Sequence, residues 1–468
     1  MTGQESIEYT ATVSQPSPRI PGLTERPARH WYSLLTCLLG VQILMRARCC
    51  LRGSKVLLKI LQQHLGVGMP SHETLRRWLL RIGLYILRRP FEVAADWVWI
   101  VDHNSPVGPE KCLLVVAVRQ SVVRAKNWVL THQDMRVLHL DVMSNSTGEL
   151  MEQQLQELVN RFGTPQQIVS DHGADLMKGI RLLRQAFPEI IDTYDISHKL
   201  ACLLKAELSN DERWQAFLTH CAKVRPLLQQ TQGSHLMPPD VRVKARYMNL
   251  HLQVSWAQRT LTYLDGPDDS KLAKRLGLED EQARSWVAER LGWLRDFRDD
   301  TTLYGAMMLV IQVAQSVVKH NGLRRDTVRR VCLALPTDLP NHPRLQRIID
   351  QVNQFLVEES AKLPDDKGYL GSSDIIESLF GKHKLFTEKS THKGIGPNIL
   401  LLPLLTVNWT ATLVRDALES TKGAEVTQWL KTKFGKPLPV RTTPNRTRAH
   451  RRAHKKRHEP RPHSTLPL

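Results

Sequence analysis

Residues 161–173 read Arg161-Phe162-Gly163-Thr164-Pro165-Gln166-Gln167-Ile168-Val169-Ser170-Asp171-His172-Gly173. Gly163-Thr164-Pro165 turns the chain, because glycine reaches backbone conformations that other residues avoid and proline cannot continue a helix. Gln167–Ser170 then reads as a short strand that ends on a carboxylate, Asp171. Before the turn, residues 148–161 carry apolar side chains at helical spacing. After Asp171 a second helix is predicted over Leu176–Phe187 and a further strand near Ile190–Tyr194. Working back toward the N-terminus, Trp97–Val101 and Cys112–Val118 are continuous valine-rich runs, the pattern of strands buried on both faces. Val137–Val142 is a third strand. Three strands, a helix, a strand, a helix and a strand give an α/β layer whose later strands run parallel. Asp102 closes the first strand as Asp171 closes the fourth, and α/β sheets present their sites at such strand ends. Taken singly, each aspartate is equally a turn residue or a helix cap.

The rest of the 468 residues divides around this layer. Residues 1–29 mix Ser, Pro, Thr and Gln without periodicity and read as a flexible leader. Residues 30–92 are helical: Val56, Leu57, Ile60, Leu61 and Leu65 form one apolar stripe, and Leu75, Trp78, Leu79, Ile82 and Ile86 form another, with a glycine turn between them and Ser71 as an N-cap. Arg76, Arg77 and Arg81 fall off the second stripe. The pair has the pattern of a helix-turn-helix DNA reader, and equally that of a helical hairpin with solvated arginines. The α/β layer occupies 93–205 and resumes over 366–438, with an all-helical insertion, 206–365, between its parts. Residues 439–468 form a basic tail expected to be disordered; from 441 onward nine Lys or Arg, including Arg451, Arg452, Lys455, Lys456 and Arg457, face the single acid Glu459.

The net charge of +19 and pI near 9.8 point to a polyanionic partner, DNA or RNA. No unbroken apolar run reaches the ~18 residues of a membrane span, and the chain is expected to be soluble, cytoplasmic and nucleoid-associated in a prokaryotic host. Seven cysteines without CxxC spacing argue against a disulfide framework or a zinc ribbon. No Walker-type phosphate loop and no Gly-x-Ser-x-Gly elbow is present.

The segment Arg161–Gly173 resembles the one around the second aspartate of DDE transposases and retroviral-type integrases, where a helix, a Gly-x-Pro turn and a strand deliver an Asp followed by x-Gly. Ser372-Ser373-Asp374-Ile375-Ile376-Glu377-Ser378-Leu379-Phe380-Gly381-Lys382-His383-Lys384 resembles the helix bearing the glutamate of these enzymes, with a basic residue seven positions on. The same Asp374-x-x-Glu377 is also a capping box that merely starts a helix, and Glu358, Glu359, Asp365 and Asp366 are alternative third carboxylates. Asp195-Ile196-Ser197-His198 resembles the (Cys/Asp)-x-x-His pair of transposase groups with helical insertions, hAT elements among them. Leu370 and Ser373 depart from the Tyr and Arg of YREK-type insertion sequences.

The resemblance implies an α/β ribonuclease-H-like core, a mixed sheet flanked by helices, with an N-terminal helix-turn-helix region and a large all-α insertion. It implies Asp102, Asp171 and Glu377 as catalytic, metal-binding residues holding two Mg²⁺ (or Mn²⁺), with Asp195, His198 and Lys384 accessory to them. Arg76, Arg77, Arg81, Lys384 and the tail cations are the expected DNA contacts. Trp256, Trp286 and Trp293 in the insertion are candidates for stacking on a flipped base, or ordinary core residues. The implied function is a transposase acting, as a homo-oligomer, on double-stranded DNA: terminal inverted repeats and target. The alternatives are a structure-specific nuclease of the same fold and a non-catalytic DNA-binding protein derived from a transposase.

Overall fold

The computed structural model describes residues 22–104, 110–240, 246–266, 270–387 and 395–434. Five strands form one mixed sheet: β1 (Trp97–Asn104), β2 (Lys111–Arg119), β3 (Arg136–Met143), β4 (Gln167–Ser170) and β5 (Ile191–Tyr194), in the order β3-β2-β1-β4-β5. β1, β2 and β3 pair antiparallel, whereas β4 and β5 run parallel to β1. The valine-rich runs occupy the central strands β1 and β2, where both faces are covered.

Three helices precede the sheet, α1 (Leu34–Met45), α2 (Leu51–Leu65) and α3 (His72–Arg88), and a short one, α4 (Gln120–Ala125), follows β2. α5 (Gly148–Phe162) and α6 (Ala174–Ala186) cover one face, packing Met151, Leu155, Leu176 and Ile180 against Trp99, Val101 and Ile168. α7 (Ile196–Ser209) leads into the helical insertion: α8 (Glu212–Gln229), α9 (Leu250–Asp265), α10 (Ser270–Leu276), α11 (Asp280–Leu291), α12 (Arg298–Asn321), α13 (Thr327–Ala334) and α14 (Pro343–Ala361). The chain returns to the sheet with α15 (Asp374–Thr387), and α16 (Ala411–Ser420) and α17 (Gly423–Phe434) follow. The helical run Asp280–Asn321 is long and apolar enough to cross a membrane, but 61% of its apolar window is buried within the protein. Tyr304, Met307 and Ile311 of that run pack into the insertion's own core.

The N-terminal helices do not stand apart as a DNA-reading lobe. The predicted stripe of α3 is buried against α1 and α16. Its other flank, Leu80, Leu84 and Leu87, is buried too, in the core over the sheet. Gly83 makes that approach possible, since a side chain there would collide with the carbonyl oxygen of Leu400. A helix enclosed on two flanks is a core element rather than one free to lie in a groove. The α2 stripe is corrected in part: Val56, Ile60 and Leu65 are exposed, whereas Leu61 packs against the core and the helix docks mainly through Ser54 and Leu58. Periodicity located both helices, but it carries no information about which neighbours meet each flank.

Candidate active site

Parallel pairing of β1 with β4 sets the geometry. Val101 lies opposite Ser170, so Asp102 and Asp171 leave the sheet as neighbours at adjoining strand ends. β1 alternates without a break against β2, which turns Asp102 to the face that carries Val98 and Ile100. Asp102 Oδ1 accepts the N–H of His103 at 2.6 Å, and Asp171 Oδ1 accepts that of Gly173 at 2.9 Å. Asp171 therefore does serve the turn that opens α6, through one oxygen, while Oδ2 takes no part in it.

α15 packs against β1. Its Ile376, Leu379 and Phe380 share a core with Val98, Ile100 and Val169, so the helix lies over the face to which Asp102 points. Glu377 is half-buried next to Ile376 on that helix. The rival carboxylates are engaged elsewhere. Glu359 accepts the N–H of Tyr194 at 3.1 Å and pairs with Lys362, Asp365 takes the Tyr369 hydroxyl at 3.1 Å, and Glu358 accepts from Gln354. Only Asp366, whose backbone carbonyl meets Arg324, has no partner for its carboxylate among the described residues.

The segment that delivers α15 is pinned to the sheet by two buried side chains. Gln167, at the mouth of β4, grips the backbone of Leu370 from both sides. Its Nε2 donates to Leu370 O at 2.6 Å and to Thr193 Oγ1 at 2.8 Å, and its Oε1 accepts Leu370 N–H at 3.2 Å. Asp195 donates its own N–H to Ser170 O at 2.8 Å. Its Oδ1 accepts the N–H groups of Ser197 and Ser373, at 3.1 and 3.2 Å. Asp195 thus ties the end of β4, the start of α7 and the approach to Glu377 together. Sequence reasoning placed Asp195 near the site but missed Gln167, whose signal is a polar amide opening an otherwise apolar strand.

Further titratable groups flank the aspartates. Asp175, in the first turn of α6, accepts Lys111 Nζ at 2.9 Å and lies 3.8 Å from His103 Nδ1. Burial pushes its carboxyl up, but the hydrogen bond from Lys111 and the charges of His103 and Lys111 outweigh that and hold it at about 2. Burial in turn lowers the pKa of His103 despite Asp175 and Asp171. On the other side His172, in the left-handed region at φ 54°, bonds Asp192 at 3.0 Å and stacks on Tyr194 at 4.3 Å. His198 stacks on the same ring at 6.0 Å. Burial, with the charges of Cys202, Asp171 and Asp195, pushes the Tyr194 hydroxyl up to about 12. None of these flanking groups except His198 was singled out from sequence. Asp175 carried a local signal, a second aspartate four residues after Asp171 at the start of α6.

The expected DNA contacts scatter. Lys384 is exposed on α15. Arg76 and Arg77 are partnered by Glu73 at 3.1 and 3.4 Å. Arg81 is corrected to an internal anchor: its guanidinium donates to Thr421 O at 2.6 Å and to Leu418 O, and it meets His30. It closes the carbonyl end of α16 and is not a surface cation. Arg451, Arg452, Lys455, Lys456 and Arg457 lie outside the described residues. Trp256 is 3% exposed, with its indole N–H on Leu236 O, and Trp293 packs among Phe217, His220 and Phe297. Trp286 lies under Arg290 and against Gly233. Trp256 is therefore a core residue and not a platform for a base.

Asp102 and Asp171 offer the hard oxygen donors that Mg²⁺ takes. Among the described residues, however, no three His, Cys, Asp or Glu side chains stand close enough together to hold one ion. Asp102 and Asp171 would offer their oxygens from adjoining strand ends, and Glu377 would add its own from the helix over the same face.

No protein-family model matches the chain, and no curated protein matches it. Among solved structures it is similar to the Drosophila P element transposase strand transfer complex, at 13% identity over 84% of this chain and 93% of that one. The TM-score is 0.38, too low for the likeness to carry fold or function.

Proposed function

We propose that the chain is a DNA transposase of the DDE type, with a ribonuclease-H-like core split by the helical insertion. The observation that carries the reading is local. Asp102 and Asp171 end adjoining parallel strands, and Glu377 sits on a helix fastened over the same face by Gln167 and Asp195. The mixed sheet, antiparallel on one side of β1 and parallel on the other, is what such a core requires. The +19 charge suits a DNA partner.

Mg²⁺, or Mn²⁺ in its place, would be held by Asp102, Asp171 and Glu377 and would supply activation of the attacking oxygen and stabilisation of the leaving one. Hydrolysis at the element end breaks one phosphodiester and frees a 3′-hydroxyl. That hydroxyl attacks a target phosphodiester in line, so each new bond replaces one broken and no covalent protein intermediate is needed. Gln167 and Asp195 keep Glu377 on the sheet face, Asp171 orients the start of α6, and Lys384 meets a DNA phosphate. The working form is a homo-oligomer on paired ends.

A second reading, a non-catalytic DNA-binding protein derived from such an enzyme, has one observation in its favour: among the described residues no three His, Cys, Asp or Glu side chains gather to hold one ion. Asp171→Asn separates the readings, because asparagine keeps the turn but loses the charge. With a labelled end fragment and Mg²⁺, the variant should lose cleavage and joining together and keep DNA binding. Wild-type cutting and joining by Asp171→Asn would overturn the catalytic reading.

A further inference from the structure

The flank of α15 turned away from Glu377 and Lys384 meets a cleft of about 200 Å³ between the end of α1, the turn before β3 and residues 404–409. Arg46, Arg48, Lys382 and Gln133 line it, with Trp409 among its apolar walls. We propose that this cleft binds a backbone phosphate of a nucleic acid strand, outside the carboxylate site.

Three cations from two distant segments converge there, and among the described residues none of them is paired with a carboxylate. Several cations elsewhere do pair with carboxylates. Arg213 has Asp300, Arg344 has Glu207 and Asp211, and Arg295 has Asp265. Lys382 Nζ instead donates to His132 Nδ1 at 2.7 Å. An imidazole accepting at Nδ1 is neutral, with its Nε2–H directed at Ser378 Oγ 3.1 Å away. His132 is 7% exposed, so Lys382 is fixed in place by a group that leaves its charge uncompensated. Burial and then Arg48 lower the pKa of Lys382, and an anion in the cleft relieves both effects. Arg48 is held in the left-handed region, at φ 53°, a conformation that non-glycine residues rarely adopt.

The cleft has room for roughly six waters at ~30 Å³ each, enough for a phosphate group and part of its sugar. Gln133 adds an uncharged donor, and the half-buried Trp409 an apolar surface for the sugar or base. Cations gathered merely to offset the C-terminal dipole of α1 would account for Arg46 and Arg48. They would not account for Lys382, which comes from another helix.

The test uses the full chain and labelled duplex DNA in EDTA, so that it does not depend on chemistry at Asp102 and Asp171. The Arg48→Gln/Lys382→Gln double variant should bind about tenfold more weakly at 0.1 M salt. Its slope of log K against log salt should fall by about 1, the loss of one neutralised phosphate, and Arg48→Lys should keep the wild-type slope. Thermal melting is followed in parallel, because dipole compensation alone predicts a lower melting temperature with unchanged DNA binding. Unchanged affinity and slope in the double variant would overturn the proposal. So would stabilisation of the wild type by inorganic phosphate, lost on Lys382→Gln, if the DNA slope stays the same: the cleft would then take small anions and not a nucleic acid strand.

Discussion

Replacing Gln167 by Met keeps the length and approximate volume of the side chain while deleting both polar atoms of the clamp on Leu370. Gln167 is fully buried, and the change removes its bonds to Leu370 N–H, Leu370 O and Thr193 Oγ1. The Leu370 carbonyl keeps a longer contact, the Thr193 hydroxyl at 3.5 Å, but the Leu370 N–H is orphaned. An orphaned buried donor costs about 1–3 kcal/mol and a lost neutral hydrogen bond about 1 more. The segment before α15 should therefore open more easily by about 2–4 kcal/mol, and at ~1.4 kcal/mol per decade that is roughly a thirtyfold to several-hundredfold change. Amide hydrogen exchange read by mass spectrometry over 367–376 should show this loss of protection, while β1 and β2 exchange as before. Cleavage should fall with it and DNA binding should not, because Glu377 loses its fixed approach. Exchange at Leu370 within about threefold of wild type would refute the clamp.

Arg81→Gln should cost about 2 kcal/mol of stability, since charged donors to buried carbonyls are lost, and should leave DNA affinity within twofold; denaturant melts and a binding titration decide it. For Asp175, whose carboxyl is held at about 2 against an ordinary 3.8, the sign follows from linkage. A depressed carboxyl contributes stability that is complete above pH ~4 and is lost as pH falls through the folded pKa. The stability gap between wild type and Lys111→Met should therefore stay constant from pH 8 to 5 and shrink between pH 4 and 2, as read by urea midpoints at each pH.

Much of the sheet was legible in the amino-acid sequence for a physical reason. Strands buried on both faces need unbroken valine-rich runs, so β1 and β2 declared themselves, and the Gly-Thr-Pro turn fixed β4 to the residue. The insertion was legible because helical spacing replaced strand spacing. What stayed hidden depends on distant partners. Nothing near Arg81 in sequence reveals the carbonyl end of α16, more than 300 residues away. The exposure of Val56 and Ile60 depends on which flank of the helix the distant α3 covers. Gln167 reads locally as a strand's polar edge and becomes a clamp only when residue 370 arrives. Of the candidate site, the placing of Asp102 and Asp171 at strand ends was legible, because each follows an apolar strand run. That the first and fourth strands lie side by side was not, because it depends on how distant strands pair.

The nicking of supercoiled plasmid in Mn²⁺ by wild type, Glu377→Gln and Asp366→Asn tests whether Glu377 completes the site of Asp102 and Asp171. Loss of a direct metal ligand should exceed the ~10–100-fold that loss of an outer-shell partner costs. The account predicts that wild type and Asp366→Asn nick at the same rate and that Glu377→Gln is slowed more than a hundredfold. Nicking by Glu377→Gln at the wild-type rate would contradict it.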